Sequence, residues 1–434
     1  MNISILTVFP QLYEPFLRTS LVNRAQQKNL VRIDVEGFFQ YVQPKERIDA
    51  PTFGHGPGML IKPAVIEKAV DAQEGKHGKA FKIFFSPQGQ KLDQHVLKKL
   101  VSQVQRVGHV LLIPARYEGM DARVENLYAD AVVSFGDFVL MGGDLPAMAL
   151  IEGMLRLLPG VVGKEESVLD ESFSGPFVDY PVYTEPVEWH GQKVPDVIRS
   201  GNHAAMMAWR EQEAIEKTVK NHFSWLRSQQ LSPEQKLKVH NYIPKHYIAL
   251  MHMDVLIGQD RQLGVTSVTS IDVHDIARSS TTYGIQQFFV VTPLKDQQKI
   301  VGTLLDFWQK GIGVDYNRGR HEAVDRVRLK NTLDDVISAI EAQEGKKPIL
   351  ITTSAGNHEH ENFVSYTDQR RVWAHDRPVL LVFGTGKGLA PSVIKESDYL
   401  LAPIHGFTAF NHLSVRSAVA VVLDRWLGIH EKVE

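Results

Sequence analysis

The sequence predicts an α/β protein with two parallel-sheet domains joined by a small helical domain. Three observations lead there. Short, largely apolar runs at residues 81–85, 109–113 and 378–382 read as strands buried on both faces, which is how parallel sheets covered by helices are written. Longer stretches with helical spacing separate such runs. The alternation occurs twice, before and after a middle portion in which the pattern lapses at 161–179 and the chain is broken at Ile243-Pro244. At 434 residues there is chain enough for two or three domains with their own cores. The boundaries read as 1–162 for the first sheet domain, 163–180 for a flexible linker, 181–245 for the helical domain and 246–434 for the second sheet domain.

In chain order, residues 1–9 alternate loosely as a strand, 11–28 carry helical spacing closed by Asn29, and 30–41 return to strand, which opens a βαβ unit. The opening Met1-Asn2-Ile3-Ser4-Ile5 is strand-like and unlike a signal peptide. Next, Pro51-Thr52-Phe53-Gly54-His55-Gly56-Pro57-Gly58-Met59 repeats glycine at alternate positions. It is no dinucleotide fingerprint, because Met59 stands where the third glycine belongs. It reads equally as a mobile loop over a site and as a plain surface loop.

The strands at 81–85 and 109–113 lead into Ser86-Pro87-Gln88-Gly89 and Pro114-Ala115-Arg116-Tyr117-Glu118-Gly119-Met120-Asp121. A third, Ala131-Val132-Val133, leads into Ser134-Phe135-Gly136-Asp137-Phe138-Val139-Leu140-Met141-Gly142-Gly143-Asp144-Leu145-Pro146 and then a helix over 145–158 stopped by Pro159-Gly160. Open parallel sheets bind ligands at such strand ends, so three loops converging on one edge would form a site. The glycines permit close backbone approach, Asp144 is placed to cap the helix and Pro146 suits its first turn. The competing reading is an ordinary tight turn flanked by solvated loop charges at Arg116, Glu118 and Asp121. A phosphate loop is excluded, since the Lys-Ser/Thr of that motif is missing.

Residues 161–179 read as a mobile linker. Beyond them, helices bear Trp209, Arg210, Lys217, Lys220, Trp225 and Arg227, a mixture of cations and aromatics that suits RNA contact and equally a small bundle with snorkelling cations. A further helix starts at Leu231-Ser232-Pro233-Glu234. The last part has strands at 288–291, 348–351, 378–382 and 399–402, a glycine loop Phe383-Gly384-Thr385-Gly386-Lys387-Gly388-Leu389-Ala390-Pro391, and a final helix over 413–427. That loop is not a triphosphate site: Leu381 occupies the first glycine position and Gly388 follows the lysine where Ser or Thr must hold Mg²⁺. In Asn357-His358-Glu359-His360-Glu361 the ligand types for a metal are present, but the spacing is not H-E-x-x-H and a solvated loop is the better reading.

Composition narrows the chemistry. The chain contains no cysteine, which excludes disulfides, thiolate metal sites, iron–sulfur clusters and thiol nucleophiles. A net charge of −2 excludes a uniformly basic nucleic-acid coat but not a local basic surface. No apolar run is long enough to span a bilayer, so a soluble, cytoplasmic protein without a membrane partner is expected; no DNA partner is expected either.

The first part resembles the bacterial tRNA (guanine-N1)-methyltransferases of the TrmD type. Gly56-Pro57-Gly58-Met59, Ser86-Pro87-Gln88-Gly89, Arg116-Tyr117-Glu118-Gly119, Ser134-Phe135-Gly136-Asp137 with Gly142-Gly143, and Ser200-Gly201-Asn202-His203 carry the resemblance over roughly residues 1–230. It implies a trefoil-knotted (SPOUT-type) α/β fold, a homodimer with its active site between subunits, bent S-adenosyl-L-methionine held by the three loops, and methylation of the guanosine 3′ of a tRNA anticodon (position 37), with Mg²⁺ supporting activity. By the same resemblance Pro87, Ala115, Tyr117, Glu118, Gly119, Ser134, Phe135, Gly136, Asp137, Phe138, Val139, Leu140, Gly142, Gly143 and Pro146 would line the cofactor, and Arg156 matches the catalytic arginine. The family's base is commonly an Asp directly before Ser-Phe; here that place is Glu171, preceded by Asp170, which leaves open which of the two serves. Ala115 replaces a usual glycine.

The last part resembles a second knotted RNA methyltransferase domain of the kind sometimes fused behind this enzyme. Phe383-Gly384-Thr385-Gly386, Gly388-Leu389-Ala390 and Asn411-His412-Leu413-Ser414-Val415-Arg416-Ser417-Ala418 carry that match. Gly384, Gly386, Gly388, Ile404, Asn411 and Ser414 are its expected cofactor residues. Lys387 stands where an apolar residue, commonly Trp, is usual, and Ala409-Phe410 where Asp-Tyr is.

The chemistry is consistent with these assignments. Guanine N1 carries a proton, so methylation there needs a base, and a cation facing O6 stabilises the developing charge. Arg156 would be that cation, with Glu152 one helical turn earlier as a candidate to orient it. The alternatives are an RNA-binding protein on a degenerate knotted fold, and a C-terminal domain that only docks RNA or dimerises.

Overall fold

A computed structural model describes residues 1–163, 171–356 and 358–431 of the chain. They form two compact units, Met1–Gly175 and Pro176–Glu434. Residues 164–170 of the linker expected at 163–180, Asp170 among them, lie outside the described residues. Among the described residues no helix is long and apolar enough to cross a membrane.

The first unit is a five-stranded, all-parallel sheet. Its main elements are β1 (Asn2–Thr7), α1 (Ser20–Gln27), β2 (Arg32–Gly37), α2 (Pro63–His77), β3 (Phe81–Lys91), α3 (Gln94–Val107), β4 (His109–Ile113), α4 (Ala122–Tyr128), β5 (Ala131–Ser134) and α5 (Asp144–Arg156), and the strand order is β2-β1-β4-β3-β5. Period-two alternation sends Ile3, Ile5, Ile83, Val110 and Leu112 into one core with α3 and α5. It sends Leu6, Phe84, Leu111 and Ile113 into another with α2 and α4. Both faces are therefore covered, as continuous apolar strands require. Local signals set the helix ends: the Asp93 carboxylate accepts from the Val96 N–H to start α3, and Gly108, at φ 83°, ends it.

Two expected elements differ. The helix expected over 11–28 is broken: Pro10–Leu12 and Tyr13–Leu17 form short turns, and the chain bends at Thr19 and Ser20 before α1, which leaves Tyr13 fully buried. The strand expected over 30–41 stops at Gly37 and becomes a 3-10 turn, Phe38–Tyr41. Conversely β3 runs on past Phe85, with a register shift against β5 between Phe85 and Gln90 that pushes Ser86, Pro87 and Gln88 out of the ladder. Gly89 closes that bulge; a Cβ there would lie 2.7 Å from the backbone of Val132 and Val133.

The second unit carries a seven-stranded parallel sheet. Its main elements are α6 (His203–Leu226), α7 (Pro233–His240), β6 (His246–Met251), α8 (Ser270–Thr282), β7 (Gln287–Val291), α9 (Lys295–Gln309), β8 (Val327–Lys330), α10 (Leu333–Glu344), β9 (Ile349–Thr353), β10 (Phe363–Val364), β11 (Val379–Gly384), β12 (Tyr399–Leu401) and α11 (Val415–Leu427), in strand order β8-β7-β6-β11-β9-β12-β10. Three of these strands, β6, β8 and β10, are additional to the four expected. All six residues of β6 are buried and it lies between β7 and β11, yet its sequence opens with His246 and Tyr247 directly after Ile243-Pro244 and resembles a loop end. Capping boxes at Ser232/Gln235 and Thr332/Asp335 start α7 and α10.

The helical stretch shares its core with the sheet: Ile215, Val219, Phe223 and Leu226 of α6 and Val239 of α7 join Ile248, Leu250 and Phe288. This changes the reading of its cations. Arg227 is buried, and its guanidinium donates to the carbonyls of Gly428, Arg425 (2.7 Å) and Asp424 (2.7 Å). It thereby satisfies the carbonyls at the end of α11 and is not available to RNA. Lys217 donates to the Asp179 carbonyl at 3.0 Å, Lys220 pairs with Glu216 and Arg210 lies over the Tyr180 ring.

His246 adds a pH dependence to this unit. Its Nδ1–H donates to the Pro244 carbonyl at 2.5 Å and its Nε2 accepts from the Trp426 indole N–H at 3.0 Å, so both ring nitrogens are engaged in the neutral form. Burial pushes its pKa down to about 4 from the usual 6.5. The unfolded chain takes up a proton that the folded one refuses, so stability is highest above the unfolded value and falls as pH drops through the window from 6.5 to about 4. Urea unfolding followed by tryptophan fluorescence should lose up to ~1.4 kcal/mol per pH unit across that window from this one group. A flat profile would show that His246 is not held neutral.

Candidate functional site

In the first unit the bulge of β3 and the loops after β4 and β5 meet around a cavity of about 380 Å³. The structure places thirteen of the expected cofactor residues on its lining: Pro87, Ala115, Tyr117, Glu118, Gly119, Ser134, Phe135, Phe138, Val139, Leu140, Gly142, Gly143 and Pro146. Gly136 and Asp137 are not on it. Gly136, at φ 151°, turns the loop, and Asp137 points outward to an ion pair with Lys91 at 3.0 Å. Gly119 adopts φ 110°, and a Cβ there would meet nothing within 4 Å, so its missing side chain leaves open space beside the lining. The lining combines backbone groups, the Glu118 carboxylate and apolar side chains, which fits a nucleoside cofactor bearing hydroxyl and amine donors.

The glycine-rich loop at 51–59 is tied to this site. Glu118 N–H donates to the Met59 carbonyl at 3.1 Å, Ile61 N–H to that of Gly119 at 3.2 Å and Asp121 N–H to that of Ile61 at 3.4 Å. The sequence left the loop's role open because no local motif names its partner. The three expected solvated charges also part company. Asp121 caps α4 and pairs with Arg123, and the Arg123 guanidinium holds its carboxyl down to about 2. Arg116 turns inward.

What it meets is Asp144, fully buried at the start of α5. Asp144 Oδ2 accepts from Arg116 Nε at 2.6 Å, and Oδ1 from Thr7 Oγ1 at 2.6 Å and Tyr13 Oη at 3.1 Å. The capping role expected for Asp144 is not observed, since the cap position is Gly143 and no side-chain cap bond forms. One carboxylate instead holds together the end of β1, the turn after it, the loop after β4 and the first turn of α5. Burial and the Asp144 charge push the Tyr13 phenol far up, so it remains a donor. Thr7 and Tyr13 were not singled out from sequence; the available signal was a charged residue opening an otherwise apolar helix.

Arg156 closes α5 and forms a two-armed ion pair with Glu171: Nε donates to Oε2 at 3.0 Å and Nη2 to Oε1. Glu152, proposed from spacing to orient Arg156, is replaced in that role by Glu171. Neither Arg156 nor Glu171 lines the cavity of its own chain, and Asp170 lies outside the described residues.

The second unit has a cavity of about 770 Å³ at the ends of β6, β9, β11 and β12. Gly384, Gly386, Gly388, Ile404, Asn411 and Ser414 all line it. Asn411 Nδ2 donates to the Ala355 carbonyl at 2.7 Å, joining two of its loops, and Ser414 caps α11. His252, Arg261, Thr269 and Asp272 also line it and were not foreseen, because they follow β6, the strand that the apolar pattern did not mark. His360 of the 357–361 run bonds to the Asn362 and Ser397 carbonyls. Among the described residues no group of three His, Cys, Asp or Glu is placed to hold a metal ion.

Fold and cavities define a class: parallel α/β units that offer a nucleoside-sized cavity between glycine-bearing strand-end loops. Comparison with known proteins makes it particular. Residues 1–228 match the family described as tRNA (Guanine-1)-methyltransferase TrmD, and residues 245–428 match one described as SAM-dependent RNA methyltransferase. Proteins named tRNA (guanine-N(1)-)-methyltransferase from Nitratidesulfovibrio vulgaris and Oleidesulfovibrio alaskensis are 37% and 35% identical, each over 99% of both chains. One of the same name from Persephonella marina is 40% identical over 54% of this chain and 92% of its own length, so the first half accounts for nearly all of that relative. The chain belongs to the TrmD family of tRNA (guanine-1)-methyltransferases, with a SAM-dependent RNA methyltransferase domain behind it.

Asp144 gives a direct test of what holds the first site together. Asp144→Ala strands the Arg116 cation and the buried Tyr13 hydroxyl, and should lower the stability of the first unit by about 3–5 kcal/mol. Urea denaturation read by circular dichroism would measure this; a loss under ~1 kcal/mol would mean that the network contributes little.

Proposed function

We propose that the first unit methylates N1 of the guanosine 3′ of a tRNA anticodon, with S-adenosyl-L-methionine as donor, and that the second unit is a further methyltransferase acting on RNA. The observation that carries this reading is the convergence of three strand-end loops on one cavity, in a chain whose family is described by that activity. Bound S-adenosyl-L-methionine supplies a methyl group activated as a sulfonium. The chain's task is to align the two partners, exclude water and manage the N1 proton. Phe138, Val139 and Leu140 provide the apolar rim for exclusion. Arg156 faces O6 as charge develops there, and the carboxylate on its fork, Glu171, accepts the N1 proton, with Asp170 the other candidate base.

The distribution of these groups supports a homodimer. Arg156 and Glu171 do not line their own chain's cavity, so the reading has them complete the cavity of a second copy. Val139, Met141 and Leu145, 82%, 90% and 65% exposed, give the apolar surface such a copy would cover. A trefoil knot in each unit, cytoplasmic tRNA as partner and Mg²⁺ as a supporting ion belong to the same proposal.

Single-turnover methylation of total tRNA by the full chain with labelled donor, followed by nucleoside analysis, should yield N1-methylguanosine. Arg156→Ala should lower that yield rate by about 10²–10³-fold and Glu171→Ala by about 10²-fold, with cofactor affinity nearly unchanged. Survival of the rate in both variants would overturn the catalytic assignment, and a loss on Asp170→Ala alone would move the base to Asp170. In the second unit, Asn411→Ala frees the Ala355 carbonyl and should weaken S-adenosylhomocysteine binding at that cavity about tenfold by calorimetry, leaving the first site's affinity intact.

A further inference from the structure

Two charged residues line the first cavity, Glu118 and Glu125, and no Lys, Arg or His lines it with them. Glu118 belongs to the loop after β4. Glu125 lies outside all three converging loops, on α4.

Helical geometry turns the Glu125 side chain to the cavity. Ala122 and Glu125, three residues apart on one face of α4, both line it, whereas Arg123, Val124 and Asn126 do not. Arg123 is turned to Asp121 at 2.8 Å, and Val124 is packed in the core with Phe84 and Ile113. The Glu125 carbonyl accepts from the Ala129 N–H at 3.0 Å, so what α4 offers the cavity here is the carboxylate. No described residue donates a hydrogen bond to that carboxylate or forms an ion pair with it. The residue is half-buried, yet neither carboxylate oxygen is closed off from solvent, so a ligand can come up to them. Burial raises this carboxyl above its ordinary value, and no neighbouring cation offsets the rise. Carboxylates drawn out of water are normally paired, and one left over on a cavity wall is matched by positive charge on the occupant.

The occupant brings such a charge and then loses it. As the methyl group leaves for guanine N1, the S–CH₃ bond breaks, its electron pair stays on sulfur and the N1 proton passes to the base. A sulfonium cation thereby becomes a neutral thioether. A negative wall holds those two species unequally. The second cavity lacks this feature: its one carboxylate, Asp272, is paired with Arg416 at 3.2 Å, and Arg261 and Lys387 stand on the same lining.

We infer that Glu125 sets the cofactor preference of the first unit: its charge favours the sulfonium donor over the demethylated product, and so promotes exchange of product for donor after each turnover. The inference rests on the reading of the first cavity as the donor site. One charge acting across such a cavity changes affinity by about tenfold.

Inhibition of N1-methylguanosine formation in tRNA by the full chain tests it, because that product reports on the first unit. Two inhibitors are compared: S-adenosylhomocysteine, neutral at sulfur, and sinefungin, which carries an amine cation in place of the methylated sulfonium. In Glu125→Gln, which keeps the shape of the side chain, the inhibition constant of sinefungin should rise about tenfold and that of S-adenosylhomocysteine less than about twofold. Glu125→Asp, which keeps the charge, should restore most of the preference. An unchanged or reversed ratio in Glu125→Gln, including the equal weakening of both ligands that a merely structural role would give, would overturn the inference and leave the first cavity as the donor site. Absence of N1-methylguanosine with the unsubstituted chain would overturn that reading itself, and the inference with it.

Discussion

The first unit depends on a buried negative charge. Asp144 has no contact with solvent, and a carboxylate in that position is tolerable only if its lone pairs are filled and a cation stands beside it. Thr7, Tyr13 and Arg116 meet those demands, and in doing so they fix three pieces of backbone relative to the first turn of α5. Arg116 lies on the loop that also carries Ala115, Tyr117, Glu118 and Gly119, so the position of the cavity wall follows from the geometry of this ion pair. Its guanidinium also lies 5.0 Å over the Phe9 ring, which binds the turn after β1 to the same loop.

Both units use the same physical solution to make a cavity. Strands covered on both faces leave only their ends for ligand contact, and glycines there let backbone come close. The solutions differ in what completes the wall. In the first unit it is loop backbone, an apolar rim and the side chains of Gln88, Tyr117, Glu118 and Glu125. In the second, the segment after β6 adds an imidazole, a guanidinium and a carboxylate held by a network of hydroxyls. A wall of fixed hydrogen-bonding groups discriminates among occupants in a way that an apolar rim cannot.

Under the proposed function the first unit is incomplete by itself. Arg156 and Glu171 are joined to each other and not to the cavity, while the apolar residues near the cavity mouth stand exposed. A chain that placed its cation, base and cofactor loops together would need no second copy. If Arg156 and Glu171 act as proposed, this one separates them, and that separation is the physical basis for proposing an assembly of two chains.

Much of this was present in the sequence. Apolar runs with period-two alternation determine parallel strands covered on both faces, glycines at strand ends determine where a ligand can approach, and the absence of cysteine removes thiol and cluster chemistry. These are local properties, so they can be read locally. The tertiary structure alone decided the partners. Thr7 meets Asp144 across 137 residues, Arg227 meets the Asp424 carbonyl across 197, and His252 meets Thr266, which in turn meets Thr385 across 119. Local pattern misassigned these groups, left their roles open or passed over them: Asp144 was expected as a cap, Arg116 and Arg227 were open to site, solvent or RNA contact, and β6 was not marked. Whether a polar side chain is a solvated charge, a structural pin or a ligand contact depends on which distant group fills its hydrogen bonds. That is settled only when the sheet brings the strands together.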